Sequence, residues 1–286
     1  MSSSLGVSNP LIISASRRTD LPGFHPAACK ERILSKMQRL RTRHLYGVVF
    51  WTRHVEPFLQ GGPLHDLVRN HLDNPVVNLT ITGHGGSVLE PGTPSTADTL
   101  KHLPALVHAF HDEPWRIRWR FDPLLRHFTT VAQFERIATV MSRLDIPTCT
   151  FSFPAYFSLK GDLTGAFEAA GIPRWEADEK RAFLVDLVAV ATRLGIRLLS
   201  CAQPENTTLH PYIEPAQCIP RAVLEQGDPR GRPLTLEKDR SQRSKCRCIT
   251  SEDIGDYETD RCLGGCVYCY SKAGGPLDRF ADSETV

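Results

Sequence analysis

The chain has 286 residues, 41% apolar, 8% aromatic and 23% charged, a composition that builds a large globular core and excludes disordered and collagen-like chains. Lysine and arginine number 34 against 32 acidic residues, a net charge of +2, so no overall field calls for a nucleic acid or an acidic surface as partner. No apolar run approaches the roughly 18 residues that span a bilayer, and Ser16-Arg17-Arg18 lacks the apolar stretch that follows a twin-arginine signal. A cytoplasmic location with no membrane partner is expected.

In chain order, Leu11–Ser16 reads as a strand and Pro26–Leu40 as an amphipathic helix. Tyr46–Trp51 and Val76–Thr82 read as strands, followed by helices over Pro63–Leu72 and Ala97–Phe110. Ile117–Phe121 precedes a helix at Val131–Leu144, Thr148–Phe153 precedes a long helix at Ala177–Leu194, and Ile196–Ser200 is a sixth strand. Strands alternating with helices of this length predict βαβ crossovers and a parallel sheet. The expected fold class is α/β, a partial or complete parallel (β/α) barrel of the TIM-barrel type with about six strands. Periodicity does not encode whether the sheet closes.

Several strands end in polar phrases: Ser16-Arg17-Arg18-Thr19-Asp20, Trp51-Thr52-Arg53, Thr82-Gly83-His84-Gly85, Arg120-Phe121-Asp122-Pro123 and Cys201-Ala202-Gln203. Ligands of parallel α/β folds sit at the carboxyl ends of the strands, so these loops are expected to line one site. From about Gln203 the rhythm gives way to a stretch rich in proline, glycine and charge, with Arg230, Arg232, Lys238, Arg240, Arg243, Lys245 and Arg247 among few acids. That stretch reads either as a grip on a phosphate-bearing partner or as a solvated connector. The expected division is a barrel domain over 1–203 and, over 204–286, a connector and cysteine-rich segment lying across the strand ends.

Nine cysteines are distributed unevenly, with Cys246, Cys248, Cys262, Cys266 and Cys269 in one short stretch. An odd count in a long chain without a signal peptide argues for reduced thiols used as ligands or reactive groups. Cys262-Leu-Gly-Gly-Cys266-Val-Tyr-Cys269 is a C-x3-C-x2-C motif whose glycines, Gly264 and Gly265, permit close backbone approach. Three thiolates on a four-iron cluster leave one iron open to an exogenous chelator. Zinc sites generally pair C-x2-4-C with a second such pair, and the other close pair here, Cys246-Arg-Cys248, is C-x-C.

The cysteine loop, with aromatic Tyr268 just before its last cysteine, resembles the cluster loop of the radical S-adenosylmethionine superfamily, and its Tyr-Cys-Tyr phrase is similar to the spore photoproduct lyase-like branch. The whole chain resembles the domain of unknown function 1848 family through Ser14-Ala-Ser-Arg-Arg-Thr-Asp20, Phe50-Trp-Thr52, Trp119-Arg-Phe-Asp-Pro123 and Ser251-Glu-Asp-Ile-Gly-Asp-Tyr257. Superfamily members place the cluster loop after the first strand, whereas here it lies 17 residues from the end, either a permuted layout or a cluster site that never cleaves the cofactor. The resemblance implies a [4Fe-4S] cluster on Cys262, Cys266 and Cys269 that binds S-adenosyl-L-methionine and splits its S–C5′ bond to a 5′-deoxyadenosyl radical, with Gly264, Gly265 and Tyr268 beside the cofactor. It also implies an electron donor such as flavodoxin or ferredoxin. Arg17, Arg18 and Arg120 are candidates for the cofactor carboxylate, since guanidinium pairs with it in bidentate fashion. Asp20 and Asp122 are candidates for ribose hydroxyls or substrate donors, although an ion pair across the strand ends explains Arg120 and Asp122 equally well.

Trp51 and Trp119 read as packing, and Cys29 and Cys149 as small buried hydrophobes. Cys201, Cys218, Cys246 and Cys248 remain, a complete ligand set for a second iron–sulfur cluster or a zinc if they converge. Otherwise Cys201 is a substrate-facing thiol and the C-x-C pair a redox-sensitive surface feature. The leading expectation is a radical S-adenosylmethionine-type enzyme acting on an unnamed small-molecule or nucleic-acid substrate. The alternatives are a non-catalytic iron–sulfur or zinc protein and a nucleic-acid repair lyase-like enzyme.

Overall fold

The computed structural model describes residues 9–40, 43–158 and 161–269. Eight parallel strands form its main sheet: β1 (Pro10–Ala15), β2 (His44–Thr52), β3 (Pro75–Thr80), β4 (Ile117–Arg120), β5 (Thr148–Phe151), β6 (Arg197–Ser200), β7 (Ile213–Pro215) and β8 (Glu252–Asp253). Their order is β8-β1-β2-β3-β4-β5-β6-β7. The six strands expected from sequence are all present. The count is corrected to eight by two short strands from the chain after Gln203, one added at each edge. Runs of two or three residues carry no readable period, so neither was visible in the sequence.

All six residues of β1 and all four of β4 and β5 are buried, because a parallel sheet is covered on both faces. Leu11, Ile13, Val48, Phe50, Val77, Leu79, Ile117 and Trp119 face the helical layer. Four helices cover it: α1 (Pro26–Gln38), α2 (Thr96–Ala109), α3 (Val131–Arg143) and α4 (Ala177–Leu194). Their ends are written locally. Ser95 caps α2, Thr130 and Gln133 form a capping box on α3, and Gly195 closes α4 in the left-handed conformation at φ 69°, a backbone state that favours glycine. The expected helix over Pro63–Leu72 is instead a short π-helical turn at Leu67–His71.

The other face is covered differently. Ile12, Tyr46, Val49 and Val76 point away from the helices and pack against Cys218, Ile219, Leu224, Leu234, Cys248 and Ile249. The carboxy-terminal connector therefore supplies the second half of the core for β1 to β3. The edge strands β7 and β8 are not hydrogen-bonded to each other, but just beyond them the Ile249 N–H donates to the Ile219 carbonyl at 3.4 Å. No helix among the described residues is long and apolar enough to cross a membrane.

Candidate functional site

The carboxyl ends of β1 to β6 open onto one cavity of about 250 Å³, near the lower end of the ~300–1,000 Å³ usual for small-molecule sites. Arg17, Arg18 and Asp20 reach it after β1, Trp51 from β2, Arg120 and Asp122 from β4, and Cys201 after β6. Cys262, Cys266 and Cys269 line the same cavity from the carboxy-terminal loop. The strand-end residues singled out from sequence and the cysteine motif thus share one space, although about 140 residues separate Asp122 from Cys262 in the chain.

The loop is held in place by buried polar contacts. The Tyr268 hydroxyl donates to Glu90 Oε1, Arg53 Nη1 lies 2.9 Å from Glu90 Oε2, and Arg53 Nη2 donates to the Tyr268 hydroxyl at 3.0 Å. Thr82 Oγ1 completes the set, donating to Glu90 Oε1 at 2.6 Å. Burial pushes the Glu90 carboxyl up, but Arg53 and the hydrogen bonds from Thr82 and Tyr268 outweigh it and hold the group below the usual carboxylate range. Main-chain bonds add to the clasp, with Val267 N–H donating to Leu89 O and Gly92 N–H to Gly264 O, both at 3.1 Å. A Cβ on Gly92 would lie 2.2 Å from the Leu263 carbonyl oxygen, so only glycine permits this approach.

Within the loop, Gly264 lies between two thiols: a Cβ there would stand 3.5 Å from Cys262 Sγ and 3.7 Å from Cys266 Sγ. Gly265 takes φ 62° and turns the chain. Burial raises the Cys262 thiol and pushes Cys266 up to about 12. Tyr270, the end of the Tyr-Cys-Tyr phrase, lies outside the described residues.

The charged residues named from sequence divide sharply. Asp20 is fully engaged, accepting from Gly23 N–H at 2.9 Å, Thr52 Oγ1 at 2.7 Å and Arg53 N–H at 2.8 Å, so it builds the loop after β1. Arg17 is bound to Asp239 at 3.3 Å and Asp253 at 3.7 Å. Arg120 pairs with Asp122, which also accepts from Ser152 Oγ, and its guanidinium lies 5.3 Å from the Trp51 ring centroid. Arg18 is exposed, donates to the Gly255 carbonyl at 3.0 Å, and has no acidic partner among the described residues.

Sequence reasoning missed three contributors. Glu90 sits in a Gly-Pro-rich loop and carries no motif. Asp253 accepts from Ser14 Oγ, Ser16 Oγ and the Arg17 N–H at 2.7–2.9 Å, and its partners lie over 230 residues away. Arg243 was read as part of a basic stretch, yet it lines the cavity. Much of that stretch is internally paired: Arg232 with Asp228 at 2.6 Å, Lys245 with Glu205 at 3.3 Å and Arg240 with Glu237 at 3.8 Å. Trp119 is fully buried among Phe121 and Phe134, as are Cys29 and Cys149 in their own layers.

The remaining cysteines meet. Cys201 Sγ and Cys218 Sγ are 3.7 Å apart, the Cys248 N–H donates to Cys246 Sγ at 3.5 Å, and all four residues belong to one cluster. The Cys201 and Cys248 thiols donating to Cys218, with Arg120 and Arg118 beside it, hold Cys218 well below the usual thiol value. Cys246 is lowered to about 6 by the Cys248 thiol and backbone N–H. Cys201, Cys218, Cys246 and Cys248 are free thiols. Among the described residues, no three His, Cys, Asp or Glu side chains are gathered around a single point in the manner of a bound ion.

Fold and site together define an α/β protein with an all-parallel eight-stranded sheet and a cysteine- and arginine-lined cavity at its strand ends. Residues 12–271 match the description of the domain of unknown function (DUF1848), and the chain belongs to that family. No curated protein matches it. Among solved structures, the carboxyl transferase domain of Rhizobium etli pyruvate carboxylase aligns at 11% identity and a TM-score of 0.23 over 68% of this chain and 40% of that one. The same domain with 3-hydroxypyruvate gives the same values. This chain spans well under half of those structures.

Proposed function

We propose that the chain is a radical S-adenosylmethionine-type enzyme whose cluster loop arrives from the carboxyl terminus. One observation carries this reading: Cys262, Cys266 and Cys269 share the strand-end cavity with exposed Arg18 and Arg243. The residues suit a [4Fe-4S] cluster. Cys262, Cys266 and Cys269 line one cavity, and no side chain at position 264 stands between Cys262 and Cys266. Each thiolate of such a cluster binds a different iron, so the sulfurs need to share a cavity rather than touch. When bound with S-adenosyl-L-methionine, the cluster would supply the electron that cleaves its S–C5′ bond.

The chain's own residues bind, orient and exclude water. Of the arginines that line the cavity, Arg18 and Arg243 have no acidic partner among the described residues and are best placed to take the carboxylate of the cofactor or of an anionic substrate. Arg17 and Arg120 are committed to Asp239, Asp253 and Asp122 and position the loops. Phe24, Trp51 and Phe153 give the cavity apolar walls, which keep water from a reactive centre. A partial barrel open between β7 and β8 is the architecture this reading uses, with flavodoxin or ferredoxin as the class of electron donor.

The test is anaerobic reconstitution with iron and sulfide. The reading expects about four irons per chain, lost in Cys266→Ala, and 5′-deoxyadenosine formed with dithionite. Iron bound without cofactor cleavage would instead support the reading in which the metal is structural.

A further inference from the structure

We propose that Cys201, Cys218, Cys246 and Cys248 form a second, mononuclear metal site of four thiolates, suited to zinc, which rivets the two edges of the sheet to each other. Cys201 follows β6 directly, Cys218 lies three residues beyond β7, and Cys246 and Cys248 precede β8. The sheet's two edge strands do not pair, and these four side chains occupy the junction where the chain beyond β7 meets the chain before β8.

Distance favours a single ion over a cluster. Cys201 Sγ and Cys218 Sγ stand 3.7 Å apart. A tetrahedron with metal–sulfur bonds of about 2.3 Å has edges of about 3.8 Å. Thiolates of a four-iron cluster bind separate irons and cannot touch in this way. Cys218 and Cys248 sit in one buried cluster against which Cys201 and Cys246 pack, and among the described residues the four do not surround one point. Cys201 and Cys246 are the part-exposed members, and binding an ion would require them to turn towards the buried pair Cys218 and Cys248.

Charge supplies the second, independent argument. Arg118 and Arg120 are 4% and 9% exposed on the face of β4 opposite the helical layer. Arg120 Nη1 donates to Cys218 Sγ at 2.9 Å. Arg118 has no carboxylate partner among the described residues. It reaches only the Gln217 carbonyl at 3.2 Å, and its Nε is buried without a partner. A guanidinium keeps its charge when buried, and an uncompensated one is costly. A divalent ion with four thiolates carries two net negative charges, enough to offset the buried Arg118 guanidinium beside it. Donors to the other sulfurs are also in place: Ile219 N–H to Cys248 Sγ at 3.3 Å and Cys248 N–H to Cys246 Sγ at 3.5 Å. Such N–H···S bonds are the outer-shell support that orients thiolate ligands.

The test separates this site from the proposed cluster. A chain with Cys262, Cys266 and Cys269 all replaced by alanine, purified without added iron, should carry about one zinc per chain by elemental analysis, and Cys218→Ser in that background should lose it. Should either variant fail to fold, X-ray absorption at the zinc edge of the otherwise unaltered chain should show four sulfur neighbours at about 2.3 Å. Absence of zinc with all four thiols open to alkylation, about four irons in the triple variant, or a zinc with nitrogen or oxygen neighbours would each overturn the proposal. None of these outcomes depends on cofactor cleavage.

Discussion

Replacing Glu90 by glutamine tests how the cysteine loop is held at the cavity. Glu90 is 1% exposed, lies 2.9 Å from Arg53, and accepts from Thr82 and Tyr268. Glutamine keeps the size and most of the hydrogen bonding but leaves Arg53, whose side chain is 17% exposed, without its counter-charge. Removing one partner of a buried pair costs about 3–5 kcal/mol, and the partial exposure of Arg53 places the expected loss near 3 kcal/mol. That corresponds to a lowering of the melting temperature by roughly 5 °C for a chain of this size, or to loop opening about a hundredfold more frequent if the effect is local. Differential scanning fluorimetry reads the first and hydrogen exchange of the Val267 and Gly92 amides the second. Arg53→Met with Glu90→Leu should recover much of the loss, because apolar replacement of a buried pair is often close to neutral. Glu90→Gln with unchanged melting and unchanged exchange would refute the clasp.

Gly92→Ala drives a Cβ to within 2.2 Å of the Leu263 carbonyl oxygen; a cost of about 1–3 kcal/mol is expected, with lower iron retention after reconstitution, read by iron analysis against wild type. Arg18→Ala combined with Arg243→Ala should weaken S-adenosyl-L-methionine binding about 10- to 100-fold, the worth of a charge-assisted hydrogen bond, as measured by equilibrium dialysis; unchanged affinity would remove both residues from the site. Acid should release the carboxy-terminal segment, because Glu90, Asp239 and Asp260 all have depressed values in the fold despite their burial. Carboxyls of this kind contribute stability that is complete above their unfolded values near 4 and is lost as pH falls through the lower folded values, so limited proteolysis should leave the segment intact above about pH 5 and cleave it progressively below about pH 4.

The six main strands and four of the five helices were legible because each carries a clear period and a cap or breaker at its end: Ser95, Thr130 and Gly195 are examples. The gathering of Arg17, Arg120 and the three loop cysteines at one cavity was legible as well, since strand-end loops of parallel folds converge. Glu252–Asp253 was not, because two polar residues in a loop-like stretch carry no strand pattern and gain their place only from Ser14, Ser16 and Arg17. Glu90 was invisible for the same reason, its role depending on partners from two distant segments. Asp20 lines the cavity but also has a structural part that its position did not show. An aspartate at a strand end reads as a ligand group, yet the local chain consumes it as a cap for Leu21–Phe24 and a tie to β2. That outcome turns on the helix turn that follows, which is too short to announce itself.

The central claim is that the carboxy-terminal cysteine loop serves S-adenosylmethionine chemistry at the strand-end cavity, and the release of 5′-deoxyadenosine tests it most directly. Protein reconstituted anaerobically and reduced with dithionite should form 5′-deoxyadenosine from S-adenosyl-L-methionine, and Cys266→Ala treated identically should form none. No 5′-deoxyadenosine from a wild-type preparation that holds about four irons per chain, or equal amounts from wild type and Cys266→Ala, would contradict it.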